Sequence, residues 1–310
     1  MIARPRRRSG GALLSSFVVT PTPAFVVGIL LTLHLLDVTQ AFSPTPQLPN
    51  QARLSIEPLR GGYHNDVVND KLPIQFFTLA SGLCPYAART HITLLELELD
   101  FERIEIAGGA EKPDWYLRIN PRGKVPALRN PADDNVVLYE SAICNEYLCD
   151  FVNFQQERKV DLFPSTPAMR AKMRLLQDHY DTNVGKTQFT YLMNKDDSEK
   201  DAQLQQQLEE GLQVYEDALE ESGGPFLMGS TFTLADVHIV PFITRLIVSL
   251  KHYKGYELPA DKFRRLLAWY DACLARPSVN LATPADKLII EAYKKFLQVD
   301  YSFGGLNTNK

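Results

Sequence analysis

Cys84-Pro85-Tyr86-Ala87 holds the residue types and the spacing that could do chemistry in this chain. Residues 73–79, a β-branched and aromatic run, read as a strand, and Ala80-Ser81-Gly82 reads as the turn that ends it. After the cysteine, Ile92, Leu95 and Leu99 recur at helical spacing. Pro85 suits the first helical position, where its missing N–H costs nothing. Cys84 therefore stands at or just before a helix N-terminus. Unpaired N–H groups and the positive end of the macrodipole favour an anion there, and a thiolate is one. The position predicts a thiol pKa below the free value of about 8.5. The competing reading is a buried, inert cysteine, the usual fate of a lone one.

Ala87 occupies the place where a second, resolving cysteine would sit. An oxidised Cys84 then cannot close a local disulfide, and an external thiol must resolve it. Glutathione is the abundant candidate, so the residues point to a monothiol mechanism. Cys144 and Cys149 fall five apart on one helix and face different sides; with Cys273 they read as structural. No Cys-X-X-Cys pair and no His cluster has zinc spacing, so no metal is expected. His238 lies on an apolar helix face and reads as core.

The elements that must position Cys84 form a short series. Residues 101–106 alternate around Ile104 and Ile106 as a second strand, and residues 111–116 open a short helical or irregular segment. The stretch from Asn120 to Leu128 and a turn at 130–134 follow. Residues 136–139 make a further strand, and Glu140-Ser141-Ala142-Ile143 enters a helix. The order β-α-β, irregular, β-β-α predicts a thioredoxin-like α/β domain over 71–156. Residues 162–167 read as a linker. An all-α domain is expected over 165–300, and 301–310 as a tail. Within it, Leu204, Leu208, Leu212, Tyr215 and Leu219 mark an amphipathic helix ended by Gly223-Gly224-Pro225. Thr233 and Asp236 form a capping box flanked by the staple pair Phe232 and Val237. Asp236 is thus a folding residue, outside any active site. Later helices are expected over 261–275 and 284–298.

The chain of 310 residues has 45% hydrophobic and 23% charged residues, a net charge of -4 and a mean hydropathy of -0.18. These values exclude a disordered chain and a polytopic membrane protein, and they argue against a nucleic-acid binder, which needs a basic excess. The charge is uneven. Residues 1–60 hold six Arg against one Asp and one Glu, which leaves -8 for the remainder. The Arg cluster, the apolar run from 24 to 36 and the polar residues after it have the layout of a secretory signal peptide. A spanning helix needs about 20 apolar residues, and this run is shorter and carries His34. A retained anchor is the alternative reading, but no stable span is expected in the mature form. Gln40-Ala41-Phe42-Ser43-Pro44 resembles the Ala-Phe cleavage site of bipartite plastid-targeting peptides, and an acid-poor stretch follows to about residue 70. Residues 1–70 thus read as a targeting segment and leader, addressed to a plastid, with plain secretion as the alternative.

Four ordered blocks carry a family resemblance over roughly residues 72–300: Cys84-Pro85-Tyr86-Ala87, Lys112-Pro113-Asp114-Trp115, Asn120-Pro121-Arg122-Gly123-Lys124-Val125-Pro126 and Tyr139-Glu140-Ser141-Ala142-Ile143. The chain resembles a glutathione transferase, most closely the Cys-type omega class. The resemblance implies a thioredoxin-like glutathione-binding domain followed by an all-helical domain, with Cys84 as catalytic residue. It implies that Val125 pairs its backbone with the cysteinyl part of glutathione, that Pro126 is cis, and that Glu140 and Ser141 hold the γ-glutamyl end. Lys112 would meet the glycyl carboxylate, and Tyr86 would pack beside the ligand. Ser81 stands where other transferase classes carry a catalytic serine; the context favours Cys84. Tyr180, Phe189 and Trp269 are aromatic candidates for an electrophile pocket. The implied activity is a glutathione-dependent thiol transferase or reductase acting on a small oxidised or electrophilic substrate such as dehydroascorbate, with glutathione as co-substrate. A homodimer is left open. The alternative is a non-catalytic module of the same fold, for binding or redox signalling.

Overall fold

The computed structural model describes residues 72–108, 111–155, 160–195, 197–298, 301–302 and 305–306. The targeting segment expected over 1–70 lies outside the described residues.

β1 (Ile74–Leu79) is the strand expected at 73–79. It pairs in parallel with β2 (Phe101–Ile106) and antiparallel with β3 (Ala127–Asn130), which pairs with β4 (Val136–Tyr139). The sheet order is β2-β1-β3-β4. β1 is central and apolar on both faces, as a strand covered on both sides must be. Ile74 and Phe76 face the main core with Ala87 and Ile92 of α1 (Pro85–Glu96) and Leu148 of α3 (Ser141–Phe154). Phe77 faces the other way, onto Ile106, Ala127 and Tyr116 of α2 (Asp114–Ile119). The architecture is a thioredoxin-like domain with a four-stranded mixed sheet, joined to a helical domain.

The register brings the motif residues to one end of the sheet. Phe77 pairs with Ala127, and Ala127 with Tyr139. The residues just beyond these, Val125 and Pro126 on one side and Glu140 on the other, therefore lie at the carboxyl end of β1. Cys84 begins α1 at that same end.

The helical domain comprises α4 (Pro167–His179), α5 (Gly185–Met193), α6 (Ser198–Ser222), α7 (Leu234–Lys254), α8 (Arg264–Leu274), α9 (Pro277–Ala282) and α10 (Asp286–Gln298). A π-turn, Tyr180–Val184, joins α4 to α5. α7 is buried almost all round, which makes it the core helix. The expected capping box starts it: Asp236 accepts from Thr233 N–H at 2.8 Å and from the Thr233 hydroxyl at 3.1 Å. Gly223 and Gly255 end α6 and α7 in left-handed conformation.

The structure adds detail to the expected outline. The linker at 162–167 is packed down, since Leu162 and Phe163 are buried and the Leu162 carbonyl accepts from Leu234 N–H at 2.9 Å. α9 was not foreseen. In the expected tail, Tyr301–Ser302 pairs with Gly305–Leu306 as β5 and β6. Among the described residues no helix is long and apolar enough to cross a membrane, and no three His, Cys, Asp or Glu gather to hold a metal.

Candidate active site

A 3-10 turn, Ala80–Gly82, leads from β1 to Cys84, and Gly82 takes φ +66, which a side chain would strain. Cys84 is the N-cap of α1 with extended φ -74 and ψ 116, and its carbonyl accepts from Ala88 N–H at 3.0 Å. Across the site the Val125–Pro126 peptide is cis. The Lys124 carbonyl before it is held from α2 by the Tyr116 hydroxyl at 2.6 Å and the Asn120 amide at 2.7 Å. The Cys84 thiol donates to the Val125 carbonyl at 3.7 Å.

Cys84 is half-buried and packs against the main core. Burial pushes the thiol above its ordinary value. The Ala87 and Tyr86 N–H groups and the Arg245 and Arg89 guanidiniums pull it down without overcoming that. This corrects the expected depression. The helix start supplies the stabilising donors, but desolvation of a thiolate outweighs them here. The three other cysteines are free and buried; burial pushes Cys144 and Cys149 up to about 12 and raises Cys273 well above its ordinary value.

Glu140 is the N-cap of α3 and has φ 73 and ψ 114, a backbone conformation that costs a side-chain-bearing residue about 1–3 kcal/mol. Its Oε1 accepts from Arg122 Nη1 at 2.6 Å, with both side chains largely in solvent. Ser141, the first residue of α3, is buried, and its Oγ accepts from Arg89 Nη1 at 3.4 Å. Lys112 is half-buried and donates from Nζ to the Ala107 carbonyl at 2.7 Å. Tyr86 is partly exposed and meets the Phe242 ring edge-on at 4.9 Å.

The three aromatic candidates lie in different surroundings. Tyr180 is fully buried, donates its hydroxyl to Gln188 at 2.7 Å and backs the Phe242 ring at 5.4 Å. Phe189 is half-buried against Phe296 of α10. Trp269 is a core residue whose indole N–H donates to Asp236 at 2.8 Å. That places it at the first turn of α7, whereas Arg245, which reaches the Cys84 loop, is nine residues further on, about 13 Å along the helix.

Motif reading missed the two buried arginines beside the thiol. Arg89 of α1 is buried; it donates to the His238 carbonyl at 2.7 Å and to Asp181 at 2.9 Å, with its guanidinium 4.5 Å from the Phe242 ring centre. Burial alone would raise the Asp181 carboxyl, but the His238 hydrogen bond and Arg89 hold it at about 2. Burial, with Arg89 beside it, lowers His238 to about 4, so a neutral imidazole donates from Nε2 to Asp181 at 3.1 Å. Arg245 of α7 is buried and bonds to the carbonyls before Cys84. The available signal for both arginines was a lone Arg inside an apolar helical run, which must find buried partners.

Residues 83–150 match the family model described as the glutathione S-transferase N-terminal domain, and residues 181–282 that of the glutathione S-transferase C-terminal domain. A rice protein (Oryza sativa subsp. japonica) described as probable glutathione S-transferase DHAR1, cytosolic, is 29% identical over 218 residues, 68% of this chain and 89% of its own. Another from rice, probable glutathione S-transferase DHAR2, chloroplastic, is 28% identical over 182 residues, 57% of each chain. The crystal structure of glutathione transferase Omega 3C from Trametes versicolor superposes with a TM-score of 0.63 at 26% identity, covering 73% of this chain and 91% of that one.

Proposed function

We propose, from the premise that the chain belongs to the glutathione S-transferase family, that it is a glutathione-dependent thiol transferase or reductase with Cys84 as its single nucleophile. One observation carries this reading: the Cys84 sulfur sits at the start of α1 and faces the carbonyl of the cis Val125–Pro126 peptide. The surrounding groups fit glutathione. The Val125 backbone edge suits its cysteinyl peptide, and the α3 N-terminus with Ser141 suits its γ-glutamyl carboxylate. Glu140, held outward by its left-handed backbone, suits the ammonium, and Arg122 releases it when that ammonium arrives. Lys112 supplies a cation for the glycyl end, and Tyr86 a wall beside the sulfur.

In the reaction Cys84, as thiolate, attacks the glutathionyl sulfur of a mixed disulfide, so the substrate sulfur is the one that departs. The old S–S bond breaks, and its electron pair leaves on the departing sulfur as a thiolate. The new Cys84–glutathione disulfide is opened by the thiolate of a second glutathione, which returns Cys84 as thiolate and leaves oxidised glutathione. With dehydroascorbate as acceptor, two electrons and two protons pass to the substrate for the same two glutathiones. Ala87 and the burial of Cys144, Cys149 and Cys273 support resolution by an external thiol.

Treatment with glutathione disulfide should add one glutathione to the intact mass, and Cys84→Ser should abolish it. An adduct confined to another cysteine overturns the assignment. The alternative is a non-catalytic binding module of the same fold. Retention on glutathione-agarose without thiol-transferase turnover would select it. The plastid address rests on residues 1–70 and on likeness to a protein described as chloroplastic.

A further inference from the structure

Arg245 is 2% exposed, and its guanidinium meets only neutral acceptors among the described residues. Nη2 donates to the Leu83 carbonyl at 3.0 Å and to the Gly82 carbonyl at 3.2 Å, and Nε donates to Leu83 at 3.3 Å. Nη1 donates to the Pro241 carbonyl, one turn back on α7. Arg89, the other buried arginine beside the thiol, has the Asp181 carboxylate as partner; Arg245 forms no ion pair among the described residues. Carbonyls satisfy its N–H groups and leave its charge without a counterion in a desolvated place.

Among the described residues, the titratable groups that act most on Arg245 are Tyr293 of α10, Cys84, Tyr180 and Tyr270 of α8. Three are phenols, and burial pushes Tyr180 and Tyr270 above the usual range. The thiol is the group of these with an anionic form closest to neutral pH. Gly82 and Leu83 are also the two residues that lead into the N-cap, so a bond to their carbonyls sets where the sulfur stands.

We propose that Arg245 is a positioning residue for Cys84: it clamps the peptide carbonyls that precede the cysteine and supplies the countercharge when the thiol releases its proton to solvent. The inference rests on Cys84 being the nucleophile. Arg89 and Tyr86 of α1 and Tyr116 of α2 also face the thiol, and all three remain in every variant below.

The test follows the rate of Cys84 alkylation by iodoacetamide against pH in the full chain, with the labelled cysteine identified by peptide mass. Arg245→Gln keeps a donor and removes the charge. Its midpoint should rise by about one unit or more, about tenfold less thiolate at any pH below the midpoint. Arg245→Lys should bring the midpoint back towards the wild-type value with a lower plateau rate, because a compact ammonium cannot span both carbonyls. A folded Arg245→Gln variant that titrates like the wild type overturns the proposal. Should neither variant fold, Cys84→Asp and Cys84→Asn compare a fixed anion with its neutral isostere beside an intact Arg245. The Asp variant should melt at or above the Asn variant, and one that melts well below it refutes the countercharge. Label on another cysteine overturns the nucleophile reading instead, which keeps the two failures apart.

Discussion

Replacing Glu140 should separate ligand binding from both stability and thiol chemistry. In the structure its carboxylate accepts from Arg122 at 2.6 Å, with the two side chains 60% and 45% exposed. An exposed pair of this kind contributes about 0–1 kcal/mol. A charged hydrogen bond to the ammonium of a bound ligand contributes about 1.5–3 kcal/mol. The difference, about 1–2 kcal/mol, is what Glu140→Gln should lose, or roughly 5–30-fold in glutathione affinity. Calorimetric titration with glutathione reads that loss. Turnover at saturating glutathione and the alkylation rate of Cys84 should stay near wild type. Glu140→Gly goes further, because φ 73 strains any side-chain-bearing residue. It should raise the melting temperature while losing the same affinity. Glutathione affinity unchanged in Glu140→Gln, or a Gly variant both more stable and fully competent to bind, refutes the clamp.

His238 is buried and held neutral at about 4 against an ordinary 6.5, so its folded pKa is depressed and the unfolded chain takes up a proton first on acidification. Its contribution is fully present above pH 6.5 and falls by about 3 kcal/mol as pH drops towards 4, roughly 6–12 °C in melting temperature, and a His238→Gln chain with the same pH slope refutes this. Asp236→Ala should cost about 3 kcal/mol in urea unfolding by stripping acceptors from Leu227 N–H, Trp269 and Thr233; a loss below about 1 kcal/mol contradicts that account. A fluorescent fusion of residues 1–70 should enter a plastid and Phe42→Ala should strand it outside, whereas secretion regardless of Phe42 overturns the address and leaves the enzyme reading standing.

Features decided by neighbours a few residues apart were readable before any fold was known. Pro85 after Cys84 set the start of α1, because a missing N–H is harmless only in the first turn. Thr233 and Asp236 set the start of α7, and Gly223 the end of α6, through backbone donors and a left-handed dihedral that need no distant partner. The order of strands and helices followed from period, whereas the meeting of Cys84, Val125, Pro126, Glu140 and Ser141 in one site was implied by the family resemblance of their motif blocks. Tertiary structure alone decided what surrounds them. The clamp on the Cys84 loop comes from Arg245, more than 160 residues away, and Asp181 reaches Arg89 across 92 residues. The same distance effect buried Trp269 and Tyr180, which look identical to pocket aromatics when only their helical spacing is known. It also reversed the expected direction of the Cys84 shift. Helix-terminus stabilisation is a local property that proximity in sequence determines, whereas desolvation depends on every atom packed around the sulfur, and those atoms come from segments that only the folded chain brings together.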